Sequence, residues 1–435
     1  MSDTPSDNGA WIDDAPHATP ELPGIGGRIK QRPEDFLVEE IPLEDPSGDG
    51  DYLYIFVEKE GMAATDMLRV LERHFDVERE DLGWAGMKDK VGITRQVISV
   101  FAPDKDETDF PELRHDRVRI LWTDRHDSQL PIGHLRGNRF SIKVRGVHAT
   151  DVLGAQRIMA RLGAHGAPNL FGTQRFGRRM NNHRIGAALL MGEWERALAG
   201  LLGFRDGLLD SHPDARRLFE EGAYERALDA FPKACVPERK ALQALVRGKG
   251  PKAGIERVGL TQRRFWVSAF QSAVFNRVVA QRLERGTWNS LLEGDVAYDH
   301  DSGAIFPVDQ ERLENPMIQE RVESVSVSPT APLWGRKMVR AAGRTFDDEW
   351  DALTETGVTL DHLQQHGPLL GQSLNGVRRP TRMRVVEPDV EGGADEHGEY
   401  VRCAFELASG CYATMVMREV MKVPATLADK RLKNA

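Results

Sequence analysis

Cysteine is scarce in this chain of 435 residues, whose three cysteines are Cys235, Cys403 and Cys411. So few thiols, none of them in a CxxC pair, exclude the disulfide framework that small secreted domains use. The sequence has no run of eighteen apolar residues, so no membrane span is predicted. Its acidic N-terminus lacks the charged-then-apolar pattern of a signal peptide. These absences predict a cytoplasmic protein.

Motifs for cofactors, metals and acyl transfer are also missing. The chain contains no GxxxxGK[ST] phosphate loop and no G-x-S-x-G nucleophile elbow, and the GIGG stretch at 24–27 does not follow a strand. His362 and His366 have the spacing of a helical metal pair, but no acidic residue lies between them and no third ligand is evident. A helix end before Gly367 explains them better. These absences argue against a nucleotide-binding loop, a serine nucleophile elbow and a metal site.

The net charge of -9 is distributed unevenly along the chain. Residues 1–60 carry 15 acidic and 4 basic side chains, a net charge of -11, so the remainder sums to +2. Residues 134–184 carry 10 lysines and arginines against a single acidic residue, Asp151. Such a segment suits the phosphates of a nucleic acid, although a solvated basic face would have the same composition.

Strand and helix patterns are mixed without a regular βαβ rhythm, which predicts an α+β fold. In the first 165 residues we predict strands over 26–42, 51–61, 95–103, 116–124 and 138–147, and helices over 65–75 and 151–163. Residues 185–285 are mostly helical and precede a predicted hairpin at 294–307. Strand patterns return at 382–390 and 399–407, before a last helix at 413–422. If these strands rejoin the N-terminal sheet, the helical segment is an insertion.

The stretch AGMKDKVGITRQ, residues 85–96, is the first candidate for chemistry. Asp89 lies between two lysines, and a carboxylate in that position usually belongs to a solvated turn. Gly86 and Gly92 allow an unusual backbone path, and Thr94 and Gln96 can face the same side as the loop. A carboxylate kept ionised by a nearby cation is a competent nucleophile or general base.

Three further stretches combine aromatic, amide and cationic side chains. KQRPEDFLVEE (30–40) offers Lys30 as a cation and Phe36 as an aromatic surface, although an edge strand with a core phenylalanine explains it too. GNRFSI (137–142) contains Asn138 and Phe140, which suit base reading and stacking but also an ordinary strand. PNLFGTQRFGRR (168–179) interleaves phenylalanines with arginines, as a nucleic-acid surface or a packed turn between domains would.

Together these stretches resemble the TruD family of tRNA pseudouridine synthases over nearly the whole chain beyond the N-terminal arm. GMKDKVGIT-Q is similar to the family signature G-x-K-D-[KR]-x-[AG]-x-T-x-Q. The other stretches, followed by WVSAFQSAVFN (266–276), TAPLWG (330–335) and GCYATMVMRE (410–419), occur in the family's order.

The resemblance implies an isomerase that converts a uridine of tRNA to pseudouridine, at position 13 in the dihydrouridine arm, without a cofactor or a metal. It assigns Asp89 as the nucleophile and Lys30 as the cation that keeps this carboxylate charged. Substrate contacts fall on Phe36, Asn138, Phe140 and Tyr412, where the family commonly has phenylalanine in place of the tyrosine. Arg175, Arg178 and Arg179 are expected to contact RNA. The expected partner is tRNA, with no membrane and no obligate protein partner.

The resemblance also implies the domain organisation. A pseudouridine-synthase catalytic domain, with a mixed or antiparallel sheet flanked by helices, is expected over 25–165 and 379–435. A largely helical α+β insertion domain is expected over 166–378, and a disordered acidic arm over 1–24. Two rival functions use the same residues. An RNA-binding protein or chaperone without catalysis would need no Asp89, and a nucleoside hydrolase would release free uracil.

Overall fold

Segments from both ends of the chain build one mixed β-sheet. The structure is a computed structural model that describes residues 15–103, 105, 107–204, 211–365 and 374–424. In chain order, its strands are β1 (Phe36–Pro42), β2 (Tyr52–Glu60), β3 (Leu82–Trp84), β4 (Ile93–Phe101), β5 (Val118–His126), β6 (Leu135–Arg145), β7 (Ala167–Pro168), β8 (Val296–Asp299), β9 (Ile305–Pro307), β10 (Val327–Leu333), β11 (Val377–Pro380), β12 (Arg382–Met383), β13 (Val386–Asp395) and β14 (Gly398–Ala408). In this part of the chain the large sheet has eight strands, in the order β13-β14-β6-β1-β4-β2-β5 with β3 beside β4. Among the described strands, only β1 and β4 pair in parallel. The predicted α+β class is confirmed.

Helices cover one face of this sheet and form most of the segment between β6 and β13. They are α1 (Ala64–Phe75), α2 (Val152–His165), α3 (Asn182–Met191), α4 (Trp194–Leu202), α5 (Pro213–Glu220), α6 (Tyr224–Ala230), α7 (Val236–Val246), α8 (Pro251–Arg257), α9 (Leu260–Glu284), α10 (Gln310–Glu314), α11 (Pro316–Glu323), α12 (Gly343–Thr354), α13 (Leu360–Gln365) and α14 (Ala413–Met421). On the β2–β4 half, Ile55, Val57 and Ile98 pack with Met67 and Leu71 of α1. On the other half, α2 packs against β13 and β14, and α14 packs against α2.

On the opposite face of the sheet, alternate residues of β1, β4, β6 and β14 carry charges, whereas Tyr54, Val97 and Leu130 form a small apolar cluster. Arg95 of β4 donates to Glu39 of β1 and to Glu58 of β2, at 2.9 Å in both cases. Arg139 of β6 donates to Glu406 of β14 at 2.6 Å. Such partly exposed ion pairs each contribute about 0–1 kcal/mol, but they keep this face in water.

The chain leaves the large sheet after β6 and rejoins it at β13 and β14. Strand β14 pairs antiparallel with β6, from Tyr400 opposite Arg145 to Ala408 opposite Gly137. Between these points α9 packs against α3, α12 and β10, and a second sheet has the order β11-β10-β8-β9. Strands β7 and β12 pair with each other, so the entry and exit of this segment lie side by side. The boundaries at 166 and 378 stay a prediction.

The strand predicted over 26–42 is shorter in the structure. Arg28 forms an isolated bridge with Arg145, a 3-10 turn occupies Pro33–Asp35, and regular pairing begins only at Phe36. Proline has no N–H to donate to a strand partner, and Lys30 has a φ of 57°, in the left-handed region. The backbone therefore turns at Lys30 and at Pro33, both of which precede β1.

The arm expected to be disordered over 1–24 is partly packed. Ala15 and Thr19 are buried, each about 3% exposed. Their carbonyl oxygens accept hydrogen bonds from Arg418 and Lys422 at the end of α14, and Glu419 accepts one from the Ala18 N–H at 2.8 Å. The expectation is wrong for residues 15–24, because α14 supplies polar partners that satisfy this segment. Residues 1–14 lie outside the described part of the chain.

Candidate active site

The loop over residues 85–92 crosses the helix-covered face of the sheet. Strand β3 runs antiparallel to β4, so after Trp84 the chain travels back along β4 before entering it at Ile93. The Gln96 side chain donates to the Gly86 carbonyl at 3.1 Å, as its predicted orientation toward the loop requires. The Gly61 N–H donates to the Gly92 carbonyl, also at 3.1 Å. These bonds fix both ends of the loop on the sheet.

Asp89, in the middle of this loop, is ion-paired with Lys30. The Lys30 Nζ donates to Asp89 Oδ2 at 2.9 Å. The lysine side chain is 1% exposed, whereas the carboxylate is 33% exposed. A buried cation therefore holds a carboxylate that still faces an accessible space. The alternative of an ordinary solvated turn does not fit this geometry.

The backbone at Lys30 explains how its side chain reaches the loop. Lys30, six residues before β1 begins, has a φ of 57°, in the left-handed region. Its ammonium lies 4.1 Å from the ring centroid of Phe36, a cation–π contact that assists the burial of a charge. A positive φ at a residue with a side chain is strained, and such strain is common at functional sites.

A second buried lysine, Lys59 of β2, holds the backbone of the loop. Its Nζ donates to the Asp89 carbonyl oxygen at 2.6 Å and to the Met62 carbonyl oxygen at 3.0 Å. Burial lowers the pKa of Lys59 to about 8, and the negative charge of Asp89 opposes this lowering. Lys30 therefore fixes the carboxylate of Asp89, whereas Lys59 fixes its main chain.

Lys88 links the loop to Asn138, the predicted amide of the site. Its Nζ lies 2.8 Å from Glu40 Oε2 and donates to Asn138 Oδ1 at 2.5 Å. Glu40 and Asn138 are directly opposite each other on β1 and β6. An ammonium group can only donate, so the contact identifies Oδ1 as the amide atom that faces the lysine. In the described part of the chain, no residue accepts a hydrogen bond from the NH₂ group of Asn138.

Phe36 and Phe140 form an apolar floor beneath these polar groups. They are 2% and 8% exposed, and their rings meet edge to face with centroids 6.5 Å apart. Asp35, next to Phe36, accepts two hydrogen bonds from Arg145 of β6, which anchors the turn that carries the phenylalanine. The floor is thus fixed by both apolar packing and a buried ion pair.

Tyr412, the remaining predicted substrate contact, lies in the loop between β14 and α14. It is partly buried, and its ring centroid is 5.8 Å from that of Phe171. Leu407 pairs with Asn138 in the register of β14 and β6, so this loop begins near the Asn138 end of the site. Phe171 belongs to the PNLFGTQRFG stretch, which therefore packs against the same loop.

The three arginines predicted to contact RNA have different environments. Arg178 is exposed and Arg175 is partly exposed. Arg179 is 7% exposed and donates to the carbonyl oxygens of Gly200 and Phe204. Its side chain joins two parts of the helical segment, an environment that does not fit the predicted RNA contact.

The described part of the chain has no metal-binding cluster and no membrane-spanning helix. No group of three or more His, Cys, Asp and Glu side chains there is arranged to hold a metal ion. No described helix is long and apolar enough to cross a bilayer. His362 lies in α13, and His366 lies outside the described residues.

Comparison with known proteins connects this arrangement to one family. A family model described as "tRNA pseudouridine synthase D (TruD)" matches residues 15–420. The chain belongs to the TruD family. The tRNA pseudouridine synthases D of Syntrophotalea carbinolica and Geotalea daltonii are each 38% identical to it, over 94% of this chain and 99% of theirs. A crystal structure of a putative TruD from Methanosarcina mazei superposes with a TM-score of 0.81 at 27% identity, covering 98% of this chain and 99% of that one. The predictions of the TruD family and of a tRNA-modifying isomerase are confirmed.

The two glycines of the TruD signature have different structural roles. Gly92 has a φ of 125°, and a Cβ added there would lie 2.4 Å from the Phe36 carbonyl oxygen. At Gly86 the φ is not positive, and an added Cβ would meet nothing within 4 Å. Only Gly92 therefore requires glycine.

Replacing Gly92 with alanine is expected to destabilise the TruD fold by about 1–3 kcal/mol, because it adds a close contact to a strained backbone. Gly86→Ala, in the same loop, is the matched control and should stay within about 0.5 kcal/mol of the wild type. Urea unfolding of the three proteins measures both values. Equal stability of the two variants would show that the backbone at residue 92 is not constrained.

Sequence reasoning missed two groups of this TruD site, Lys59 and Glu40. A signal for Lys59 was present, because Leu53, Ile55 and Val57 place every second residue of β2 in the core. Residue 59 continues this series, so a lysine there must be buried and needs a partner. Glu40 occupies the corresponding inward position on β1, next to Asn138.

Proposed function

We propose that this protein isomerises the uridine at position 13 of tRNA to pseudouridine in the cytoplasm, with Asp89 as the nucleophile. The observation that carries the proposal is a carboxylate held by a buried ammonium group while a third of its surface stays accessible. In the reaction the N1–C1′ bond breaks, the uracil turns, and a C5–C1′ bond forms. N1 gains a proton and C5 loses one, so no other reactant is needed.

The two oxygens of Asp89 have separate tasks in this proposal. Oδ2 accepts the hydrogen bond from Lys30. Oδ1 accepts no hydrogen bond from any residue within the described ranges, so its lone pairs are available for attack. Attack at C1′ of the ribose and attack at C6 of the base both use this oxygen. The Lys59 clamp on the Asp89 carbonyl supports the proposal, because it limits movement of the loop during attack.

Asn138 gives the site a reason to prefer uracil. Because its Oδ1 accepts from Lys88, its NH₂ group is directed as a donor. Uracil presents carbonyl oxygens that accept such a bond, whereas cytosine has an amino group in place of the O4 carbonyl. Phe36 and Phe140 supply the apolar floor below an extruded base, and Tyr412 supplies a ring for stacking.

Mapping the modified position tests this function. The purified protein is incubated with an unmodified tRNA transcript that has uridine at position 13, and pseudouridine is located by primer extension after carbodiimide treatment. A transcript with cytidine at position 13 is the control. Modification at position 13 alone supports the proposal, and modification elsewhere overturns the position. Free uracil would identify a hydrolase, and an unchanged transcript that still binds would identify an RNA-binding protein.

The pKa of Lys59 predicts how the reaction depends on pH. Its value of about 8 lies below the ordinary 10.5, so the ammonium is charged below pH 8 and becomes neutral as the pH rises through 8. The charged form donates to the Asp89 carbonyl and supports the neighbouring carboxylate. We expect the single-turnover rate of the wild type to fall as the pH rises through about 8.

The variant Lys59→Met should react about 10–100-fold more slowly and lack this fall, because the loop has lost its anchor at every pH. Lys90→Met removes an exposed lysine from the same loop and should keep the wild-type profile. A fall near pH 8 that persists in Lys59→Met would assign it to another group.

A further inference from the structure

Two arginines approach one aromatic ring beside Tyr412. The guanidinium carbon of Arg379 lies 4.3 Å from the centroid of Phe171, and that of Arg175 lies 5.0 Å from the same centroid. Arg379 comes from β11 and Arg175 from the PNLFGTQRFG stretch, so two distant segments bring positive charges to one place. The Tyr412 ring contacts Phe171 as well.

Neither arginine is paired with a carboxylate in the part of the chain that the structure describes. Arg379 donates only to neutral oxygens: the Asn169 carbonyl, Asn169 Oδ1 at 2.5 Å and the Gly410 carbonyl at 3.0 Å. Its Nη1 donates to no described residue. The Nε of Arg175 is buried without a hydrogen-bond partner. Arg378, the residue before Arg379, shows the contrast, because Glu349 accepts from both of its terminal nitrogens.

The charges of this pair are unfavourable to each other in the absence of an anion. Burial lowers the pKa of Arg379, and the positive charge of Arg175 contributes to the lowering. Helix α14 begins at Ala413 and has no side-chain cap at Tyr412, so its first N–H groups add partial positive charge nearby. An added Cβ at Gly172 would lie 3.3 Å from Thr414 Oγ1, which places the stretch that carries Arg175 against this first turn.

We propose that Arg175 and Arg379 form a binding site for a phosphodiester of the RNA backbone adjacent to the extruded uridine. This rests on the proposed function, since it places the phosphate next to the base that Tyr412 and Asn138 receive. A guanidinium group offers paired donors that match two phosphate oxygens, and the free donors of both arginines are suited to that geometry. Gly410, which accepts from Arg379, lies three residues beyond Leu407, the partner of Asn138 on β14, so the two subsites lie at the same end of these strands.

Binding of tRNA at several salt concentrations tests the site without requiring turnover. Arg175→Met should weaken binding about tenfold and reduce the slope of log K against log salt by about 1. Arg73→Met is the control, because it removes an exposed arginine that, among the described residues, bonds only to its own helix, and it should leave the slope unchanged. Arg379→Lys keeps the positive charge but lacks the planar pair of donors of a guanidinium group, so it should weaken binding with little change in slope.

A tRNA with one neutral methylphosphonate beside the target uridine locates the contact. The wild type should bind this tRNA about tenfold more weakly when the modified linkage is the one that the arginines hold. Arg175→Met should lose most of that difference, whereas Arg73→Met should retain it. Both flanking linkages are tried in turn. If neither affects the wild type, or if Arg175→Met remains as sensitive as the wild type, the phosphate site is wrong.

These outcomes are separate from failure of the proposed function. If the protein never forms pseudouridine but shows the arginine-dependent methylphosphonate effect, the phosphate site is supported and the proposed reaction is contradicted. If the wild type isomerises the uridine but shows no such effect, the proposed reaction is supported and the phosphate site is contradicted. Circular dichroism of Arg175→Met and Arg379→Lys establishes that both variants are folded, and each variant gives a result independently of the other.

Discussion

Replacing Asp89 with asparagine should abolish pseudouridine formation and leave tRNA binding nearly unchanged. Asparagine has the same shape and its oxygen can still accept from Lys30, so the loop should keep its position. It has no carboxylate oxygen to form a bond with the substrate. The rate should fall by about 10⁴-fold or more, as for other enzymes that lose their nucleophile. Chromatography of nucleosides from digested tRNA measures the product, and filter binding measures affinity.

Two observations would contradict this prediction. A variant that retains more than a few per cent of the wild-type rate would exclude Asp89 as the nucleophile. Loss of tRNA binding together with activity would instead show that the carboxylate holds the substrate. Lys90→Met, which changes the next residue without touching the ion pair, is the control for disturbance of the loop.

Replacing Lys30 with methionine is expected to lower the isomerisation rate by about 10²–10³-fold, a loss typical of removing one charged or donor group from a catalytic centre. Methionine fills a similar volume next to Phe36 but leaves the Asp89 carboxylate without its ammonium partner. The carboxylate then has no group that fixes its orientation. Single-turnover kinetics at saturating enzyme separate this effect from a change in affinity.

A double variant distinguishes a functional pair from two independent structural residues. If Lys30 acts through Asp89, adding Lys30→Met to Asp89→Asn should cost little further activity, because the group that it supports is already absent. Additive losses would show that Lys30 has a separate task. Equal unfolding midpoints of the single variants would confirm that neither loss results from destabilisation.

Local sequence was sufficient for those parts of the site that are contiguous in the chain. The signature around Asp89 contains its glycines and lysines within a few residues, so the loop could be predicted, whereas the proposed role of Asp89 as nucleophile came from the family resemblance. The strand that carries Asn138 and Phe140 was predicted for the same reason, because its alternation is local. The assignment of Lys30 came from the family resemblance and not from periodicity, which cannot indicate that its φ is positive.

Contacts between distant segments could not be predicted from local patterns. Lys59 of β2 contacts Asp89 in the loop between β3 and β4. Arg379 contacts Phe171 from the far end of the helical segment. An acidic composition predicted a solvated N-terminal arm, yet residues 15–24 pack against α14 because Arg418 and Lys422 lie there. The burial of Arg179 could not be predicted either, since it depends on helices whose positions local sequence does not determine.

Release of tritium from C5 of uridine is the most direct measurement of the central claim, which is that Asp89, held by Lys30, drives isomerisation of a tRNA uridine. The assay uses tRNA labelled with 5-tritiated uridine and excess enzyme, so that each molecule reacts once. We predict that the wild type releases one tritium per tRNA and that Asp89→Asn, although it binds the same tRNA, releases none. Release by Asp89→Asn at the wild-type rate, or no release by a wild type that binds tRNA, would contradict the account.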